Sequence, residues 1–202
     1  MGRRARREIL FNGCFAHILS RSFDKQWIYE DAKDFEVFKT LLLESKKKFG
    51  FLIHHYCLMH THFHLLVSIP DLRRFSLALQ WLKRQYTVQY NRRHKRTGPI
   101  WRERFKSQLI EDEAYLYACG RYIEENPVKG GLAERPEDWP HSSAVHYRLG
   151  RKDPLIDPYE FDPEGSALPR VDPGMLERRE AIGSELFLLH LEEGLLKEVS
   201  VP

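Results

Sequence analysis

The sequence predicts an α+β fold, in which an antiparallel sheet carries two helices on one face, for most of its 202 residues. Two observations predict it. Short apolar runs rich in β-branched and aromatic residues are typical of strands, whereas two longer segments repeat apolar residues every three or four positions, as amphipathic helices do. The segments follow one another in the order β-α-β-β-α-β, with a further helix after them. This order is that of a ferredoxin-like sheet.

The first four elements are predicted at residues 9–22 (strand), 31–50 (helix), 51–59 (strand) and 62–70 (strand). Residues 9–22 carry strand-forming residues throughout. Asp31 can cap the start of the helix, and lysines precede Gly50, where positive charge suits the negative end of the helix dipole. The two later strands are separated only by His60 and Thr61, which predicts a tight hairpin turn.

The remaining elements are predicted at 76–95 (helix), 100–111 (strand) and 112–127 (helix). Pro127 is expected to end the last of these helices. Residues 1–150 then form one domain, and residues 151–202 form a linker rich in proline and acidic residues, followed by a C-terminal helix. Either the acidic linker lies over a basic surface of the domain or it is a flexible arm; the second reading is the simpler one.

Charge is segregated along the chain. Residues 1–106 contain 22 Lys and Arg against 9 Asp and Glu, and the remainder contains 10 against 20. This basic first half predicts a polyanionic partner such as nucleic acid, because Lys and Arg that contact phosphates release bound counterions, and that release favours binding. Aromatic residues interleave with the densest cations and could stack on bases, although Tyr86 and Phe105 are expected in the core. The candidate DNA-binding residues are Arg21, Lys83, Arg84, Arg92, Arg93, Lys95, Arg96, Trp101, Arg102, Arg104 and Lys106.

Cysteine content and hydropathy exclude several protein classes. The three cysteines are far apart and have no CxxC spacing, which favours neither a disulfide framework nor a thiolate zinc site. The basic N-terminus lacks the uninterrupted apolar core of a signal peptide, and no run is long enough to span a membrane. We therefore expect a cytoplasmic protein without a membrane partner.

Two histidines on alternate residues are candidate metal ligands. Side chains of a strand alternate between its faces, so His62 and His64 lie opposite Phe63 and Leu65. The apolar pair can cover the two helices, which leaves the imidazoles on the other face, where two neutral ring nitrogens could bind a divalent cation. A single histidine on an apolar strand is more often a hydrogen-bonded core residue, so the pair needs further support.

The helix predicted at 112–127 supplies a candidate nucleophile. Tyr122 and Asn126 are four residues apart and share one helical face. A tyrosine oxygen beside a cation and basic residues is suited to attack a phosphodiester. Spacing alone leaves Tyr115 and Tyr117 as alternatives.

Several motifs in the same order resemble one family. These are "YCLM" with "HFHLLV", then "RQYTVQYNRRHKRTGPIWRERFKS", then "DEAYLYACGRYIEENPVKGGLAERPEDWPHSS", together spanning about residues 8–150. They are similar to the single-tyrosine His-hydrophobe-His (HUH) transposases, and most to their REP-associated tyrosine transposase branch.

The resemblance implies a ferredoxin-like nuclease that cuts one DNA strand at palindromic hairpins and keeps a 5′-phosphotyrosine link. It places the metal ligands at His62, His64 and Asn126 and the nucleophile at Tyr122, and so chooses among the tyrosines. It also implies Mg²⁺ or Mn²⁺ as cofactor, single-stranded or hairpin DNA as substrate, and a homodimer, with a monomer as the alternative.

Two departures from the family pattern affect these expectations. His60 and Thr61 stand where the family commonly has Pro-Asn, so His60 is either a spare ligand, a proton donor or, more simply, an exposed turn residue. Glu124 and Glu125 precede Asn126, where a carboxylate could bind the cation, activate the tyrosine or repel phosphate. The alternative function is therefore a protein that binds hairpin DNA, or structured RNA, without cutting it.

Overall fold

The computed structural model describes residues 10–158. Its strands are β1 (Cys14–Arg21), β2 (Leu52–Met59), β3 (His62–Ile69) and β4 (Lys106–Ile110), and its helices are α1 (Ala32–Phe49), α2 (Leu72–Arg93), α3 (Glu113–Lys129) and the short α4 (Ala144–Leu149). The strands form one sheet in the order β2-β3-β1-β4, with every neighbouring pair antiparallel. The α+β, ferredoxin-like prediction is confirmed.

Helix α1 has the boundaries that the sequence predicts. The Asp31 carboxylate accepts hydrogen bonds from the backbone amides of Lys33 and Asp34, which have no partner within the helix. At the other end, Gly50 has φ +72, a left-handed conformation that glycine adopts without steric cost.

One face of the sheet packs on α1 and α2. Phe63, Leu65 and Val67 project from β3 into this core and are completely buried. The Phe63 ring lies 5.2 Å from the ring of Phe38 on α1. Tyr86 and Phe105 also belong to this core, as the sequence predicts. The histidines at 62 and 64 therefore lie on the opposite face.

Helix α3 covers that opposite face. Leu116, Cys119 and Ile123 pack on Cys57 of β2 and Leu66 of β3 in a second apolar cluster. Helix and sheet approach closely at Gly120, where an added Cβ would lie 2.6 Å from Nε2 of His55. The close fit fixes the position of α3 over the sheet.

Several predicted boundaries differ from those observed. Strand β1 begins at Cys14, α2 begins at Leu72, β4 begins only at Lys106, and α3 continues beyond Pro127 to Lys129. The α2 start is explained by Asp71, whose side chain accepts a hydrogen bond from the amide of Arg74. In α3, proline removes one backbone donor, but the Asn126 amide nitrogen lies 2.8 Å from the Tyr122 carbonyl and 3.4 Å from that of Ile123.

Residues 151–158, which begin the predicted linker, pack against the domain. Leu155 is 2% exposed within the main core, and the amide of Asp157 donates to the carbonyl of Ile53 on β2. The C-terminal helix predicted after the linker lies outside the described residues. Among residues 10–158, no helix combines the length and apolar character that crossing a bilayer requires.

Candidate active site

His62 and His64 lie side by side under α3. Their rings are 5.1 Å apart, and the residues are 9% and 2% exposed. The register of the sheet places Arg21 of β1 opposite His62. Strand alternation therefore brings two imidazoles and a guanidinium-bearing residue to the same face, as the sequence predicts for the histidine pair.

The Nδ1 atom of each histidine has a hydrogen-bond partner. Nδ1 of His62 lies 2.9 Å from Oγ1 of Thr61, and Nδ1 of His64 lies 2.8 Å from Nε2 of His17. Both rings are thereby held in place, and Nε2 is the atom of each ring that could ligate a cation.

His17 is a site residue that sequence analysis missed. Its ring is nearly coplanar with that of His64, with an interplanar angle of 8° and centroids 5.1 Å apart, and it is 7% exposed. The alternation of β1 contains the signal, since Ala16 and Ile18 face the main core and His17 faces the other side. Recognising it required the pairing of β1 with β3, which the β1 sequence alone does not specify.

Burial keeps these histidines neutral. It lowers the pKa of His17 to about 4 and that of His62 to about 3, and it lowers the pKa of His64 well below its ordinary value. The positive charge of Arg21 lowers the pKa of His62 and His64 further. Neutral imidazole is the form that binds metal ions.

Tyr122 faces the histidines from α3. Its ring lies 5.9 Å from the His64 ring and 6.1 Å from the His17 ring, both edge to face. The ammonium of Lys129 lies 5.0 Å from the centre of the tyrosine ring. By contrast, Tyr115 is buried in the cluster beneath α3, and Tyr117 is 43% exposed. Tyr122 is thus a candidate tyrosine in ring contact with both His64 and His17.

Asn126 lies one helical turn beyond Tyr122 and is 8% exposed. Because its amide nitrogen is directed at backbone carbonyls of α3, its Oδ1 atom is the one available to ligate a cation. Together with two neutral imidazoles it would make a mixed nitrogen and oxygen donor set for a divalent cation, in which the amide oxygen is the ligand type that Mg²⁺ and Mn²⁺ favour. Within residues 10–158, no group of three or more His, Cys, Asp or Glu side chains is placed to hold a metal ion.

The nearby cysteines do not add to this donor set. Cys57 and Cys119 are fully buried, and burial raises the pKa of both thiols far above neutrality. A thiol that stays protonated is a poor metal ligand.

Comparison with known proteins assigns the chain to a family. The family model "Transposase IS200 like" matches residues 11–126, more than half of the chain. The chain belongs to the IS200-like transposase family. Members of this family are typically metal-dependent enzymes.

One curated relative is similar in sequence. The chain is 36% identical over 97 residues to a Haemophilus influenzae protein named "Putative REP-associated tyrosine transposase", in a match that covers 43% of this chain and 55% of that protein. The chain thus matches about half the length of this curated relative.

A solved structure is similar in fold. The structure of a REP-associated tyrosine transposase bound to a REP hairpin matches with a TM-score of 0.64 at 20% identity, covering 85% of this chain and 99% of that one. The likeness shows that this IS200-like chain shares the fold of that transposase.

The two glutamates before Asn126 serve other contacts in this IS200-like chain. Glu124 is 4% exposed, and its Oε1 accepts hydrogen bonds from Oγ of Ser143 at 2.9 Å and lies 2.8 Å from Nδ1 of His55. Glu125 forms an ion pair with Lys129 at 3.0 Å. The structure therefore assigns Glu124 to the attachment of α3 and Glu125 to a pair on the helix surface.

His60 is a turn residue, but its ring is held within the protein. Its Nδ1 lies 2.7 Å from the carbonyl oxygen of Tyr29, and Trp27 stacks on its ring at 4.2 Å. His60 therefore lies in the turn before β3, which begins at His62, and its ring is occupied by contacts with Tyr29 and Trp27.

The predicted DNA-binding residues divide into surface and interior groups. Lys83 is 8% exposed and its ammonium donates to the carbonyls of Glu103 and Arg104, while Trp101 packs against the main core. Arg93 is paired with Asp31 and Asp34. Exposed positions are occupied by Arg84, Arg92, Lys95, Arg102, Arg104 and Lys106, whereas Arg21 and Arg96 are half-buried.

Proposed function

We propose that this protein is a metal-dependent single-strand DNA endonuclease and transposase that acts on palindromic hairpin DNA through a 5′-phosphotyrosine intermediate. The observation that supports it most is the 5.9 Å separation of the Tyr122 and His64 rings within one chain. The relative bound to a REP hairpin supports the substrate class.

The proposed reaction is a transesterification. The hydroxyl of Tyr122 releases its proton to solvent and its Oη attacks the scissile phosphorus; the bond from phosphorus to the 3′ oxygen breaks, and the leaving oxygen takes up a proton from solvent to become a 3′-OH. Because the phosphotyrosine bond is still a phosphodiester, a 3′-OH can later attack it and rejoin strands without a nucleotide cofactor. This reversibility is the chemical advantage of tyrosine over water.

His62, His64 and Asn126 would hold the cation. A divalent cation there would polarise the scissile phosphate and offset its developing negative charge. The residues around it have separate tasks: His17 and Thr61 orient the two imidazoles through Nδ1, and α3 presents Tyr122. The exposed cations of α2 and the segment before β4 would bind hairpin phosphates and set the register of the DNA.

The site needs only one chain for these groups to meet. In the proposed homodimer, each chain would carry its own Tyr122 and histidine pair, and the second site would serve the exchange of DNA ends. A monomer would still be able to cut.

The test is formation of a covalent adduct. Labelled single-stranded hairpin DNA is incubated with the full chain and Mn²⁺ or Mg²⁺, and the product is separated on a denaturing gel. We expect a protein–DNA band that disappears in Tyr122→Phe and in His64→Ala, and that persists in the matched control Tyr117→Phe. Hairpin binding without an adduct in either metal would contradict cleavage and favour the non-cutting, hairpin-binding alternative.

A further inference from the structure

Two aromatic side chains beside the turn between β2 and β3 are exposed. Phe23 and Trp27 are 56% and 55% exposed, more than any other aromatic ring in the described part of the chain. Neither belongs to the candidate DNA-binding set predicted from sequence. Large exposed rings in a fixed segment mark a binding surface.

The segment that carries both rings is held on two sides. The amide of Phe23 donates to the carbonyl of Ile100 at 2.8 Å, and the amide of Ile28 donates to that of His60 at 2.8 Å. Between them, Asp24 and Lys25 have φ 49 and 52, a left-handed conformation that residues other than glycine adopt at an energetic cost. The surrounding hydrogen bonds maintain this geometry and with it the positions of the rings.

Trp27 is supported on one face. Its ring stacks on His60 with a centroid distance of 4.2 Å and an interplanar angle of 15°. His60 is itself fixed, because its Nδ1 lies 2.7 Å from the Tyr29 carbonyl oxygen and its ring meets Phe35 and Trp139 edge to face. A ring supported on one side and more than half exposed is arranged for a second planar group to stack on it.

The surroundings of these rings carry several cations and lie beside the turn that precedes the histidine pair, since the amide of Ser22 donates to the carbonyl of Thr61 at 2.8 Å. Arg96 donates to the side-chain oxygen of Gln26 at 2.8 Å, and Lys25 and Arg102 are exposed. The acidic neighbours include Asp24 and Glu30, whose carboxylate accepts from the Tyr90 hydroxyl that also contacts the Trp27 carbonyl. His60, under Trp27, precedes His62 by two residues. A protein partner would favour a surface depleted of charge, whereas nucleic acid combines flat bases with phosphates.

We propose that Phe23 and Trp27 form a stacking platform for unpaired bases of the DNA strand that leads to the His62 and His64 site. The proposal rests on the proposed function for its substrate. It adds a base-contacting surface to the phosphate contacts of the exposed cations. The platform would favour hairpins that carry a single-stranded flank over hairpins that end in a blunt stem.

The test compares two hairpins with identical stems, one blunt and one with a single-stranded flank, each binding to the full chain in EDTA so that no strand is cut. Trp27→Ala should weaken binding of the flanked hairpin roughly 5- to 150-fold and change the blunt one little. Phe23→Ala should act in the same direction. Trp27→Phe, which keeps a ring, should restore most of the affinity, and Tyr117→Ala serves as a control that removes another exposed ring.

A fluorescent base gives a second readout. With 2-aminopurine in the flank, wild-type protein should quench its emission by stacking, and Trp27→Ala should abolish part of that quenching. Equal losses on both hairpins, or unchanged flank binding in both alanine variants, would overturn the proposal; the latter result would point to a protein partner. Adduct formation by the wild-type chain is scored separately, so failure of the platform and failure of cleavage are distinguishable.

Discussion

His17 is the residue that connects β1 to the candidate metal-binding pair, His62 and His64. For Nε2 of His64 to offer a lone pair to a cation, Nδ1 must carry the proton and donate it to Nε2 of His17, 2.8 Å away. His17 thus selects the tautomer of its neighbour and fixes the ring plane. Such partners of metal-bound histidines typically change metal affinity 10- to 100-fold when removed, by order of magnitude.

We therefore predict that His17→Ala weakens Mn²⁺ binding by roughly 10- to 100-fold. Binding is measured on the full chain by electron paramagnetic resonance of free Mn²⁺, which does not depend on DNA cleavage. His54→Gln is the control, because His54 is an equally buried histidine whose partners are Asp157 and Ser68. Equal affinities of the wild-type and His17→Ala proteins would contradict the role of His17.

At this scale the sequence predicts only part of the site. The alternation of β3 predicts the common face of His62 and His64, and the resemblance to transposases chooses Tyr122 over Tyr115 and Tyr117. The sequence does not predict His17, because its position beside His64 depends on the pairing of β1 with β3. It does not predict Phe23 and Trp27 as a surface, because their segment is held by backbone groups that are distant in sequence. The buried position of Lys83 is not predicted either, because the backbone carbonyls that accept its hydrogen bonds belong to residues 103 and 104, about twenty positions along the chain.

Helix α3 is the element that positions Tyr122, and a buried carboxylate attaches it to the domain. Glu124 bridges His55 of β2 and Ser143, while the next residue, Glu125, remains near the surface. We therefore expect these two adjacent glutamates to contribute differently to the free energy of unfolding.

We predict that Glu124→Ala lowers the free energy of unfolding by about 2–4 kcal/mol, because it leaves buried hydrogen-bond partners unsatisfied. Glu125→Ala should cost less than about 0.5 kcal/mol, as is usual for an i,i+4 surface pair. Urea unfolding of both variants tests this. Equal losses would show that Glu124 does not attach α3.

Gly120 provides a second test of how α3 fits the sheet. Alanine normally stabilises a helix relative to glycine by about 1 kcal/mol, but a Cβ here would lie 2.6 Å from the His55 ring. Gly120→Ala should therefore destabilise the protein by about 1–3 kcal/mol and slow adduct formation. In a His55→Ala background the additional loss should vanish, and a loss of the same size in both backgrounds would rule out this contact as its cause.

The sequence predicts the type and order of the helices and strands better than the residues at which they begin and end. Apolar periodicity identifies each helix and strand, and Asp31 and Gly50 mark α1 correctly because caps are local chemistry. The end of α3 is missed because the Asn126 side chain offsets the donor that Pro127 lacks. The start of β4 is missed because residues 100–105 resemble a strand but pair with the chain after β1 only through an isolated bridge between Ser22 and Trp101, and the continuous ladder begins at Lys106.

The whole molecule carries an excess of positive charge on its first 106 residues, and salt dependence should reveal how much of it contacts DNA. We predict that the logarithm of hairpin affinity falls linearly with the logarithm of salt concentration, and that replacing Arg102 and Arg104 together by Gln lowers the slope by about 2. Arg93→Gln is the control, since Arg93 is paired with Asp31 and Asp34. An unchanged slope in the double variant would exclude these arginines from the interface.

The central claim is that Tyr122 is the residue that becomes linked to DNA, and peptide mapping of the adduct tests it most directly. Trypsin cleaves after Lys106, Arg121 and Lys129, so residue 122 falls in a different peptide from Tyr115 and Tyr117. After reaction of the wild-type chain with hairpin DNA and Mn²⁺ and digestion of the DNA, we expect fragmentation spectra to place the nucleotide mass on Tyr122. A nucleotide on Tyr115 or Tyr117, or on no tyrosine, would contradict the account.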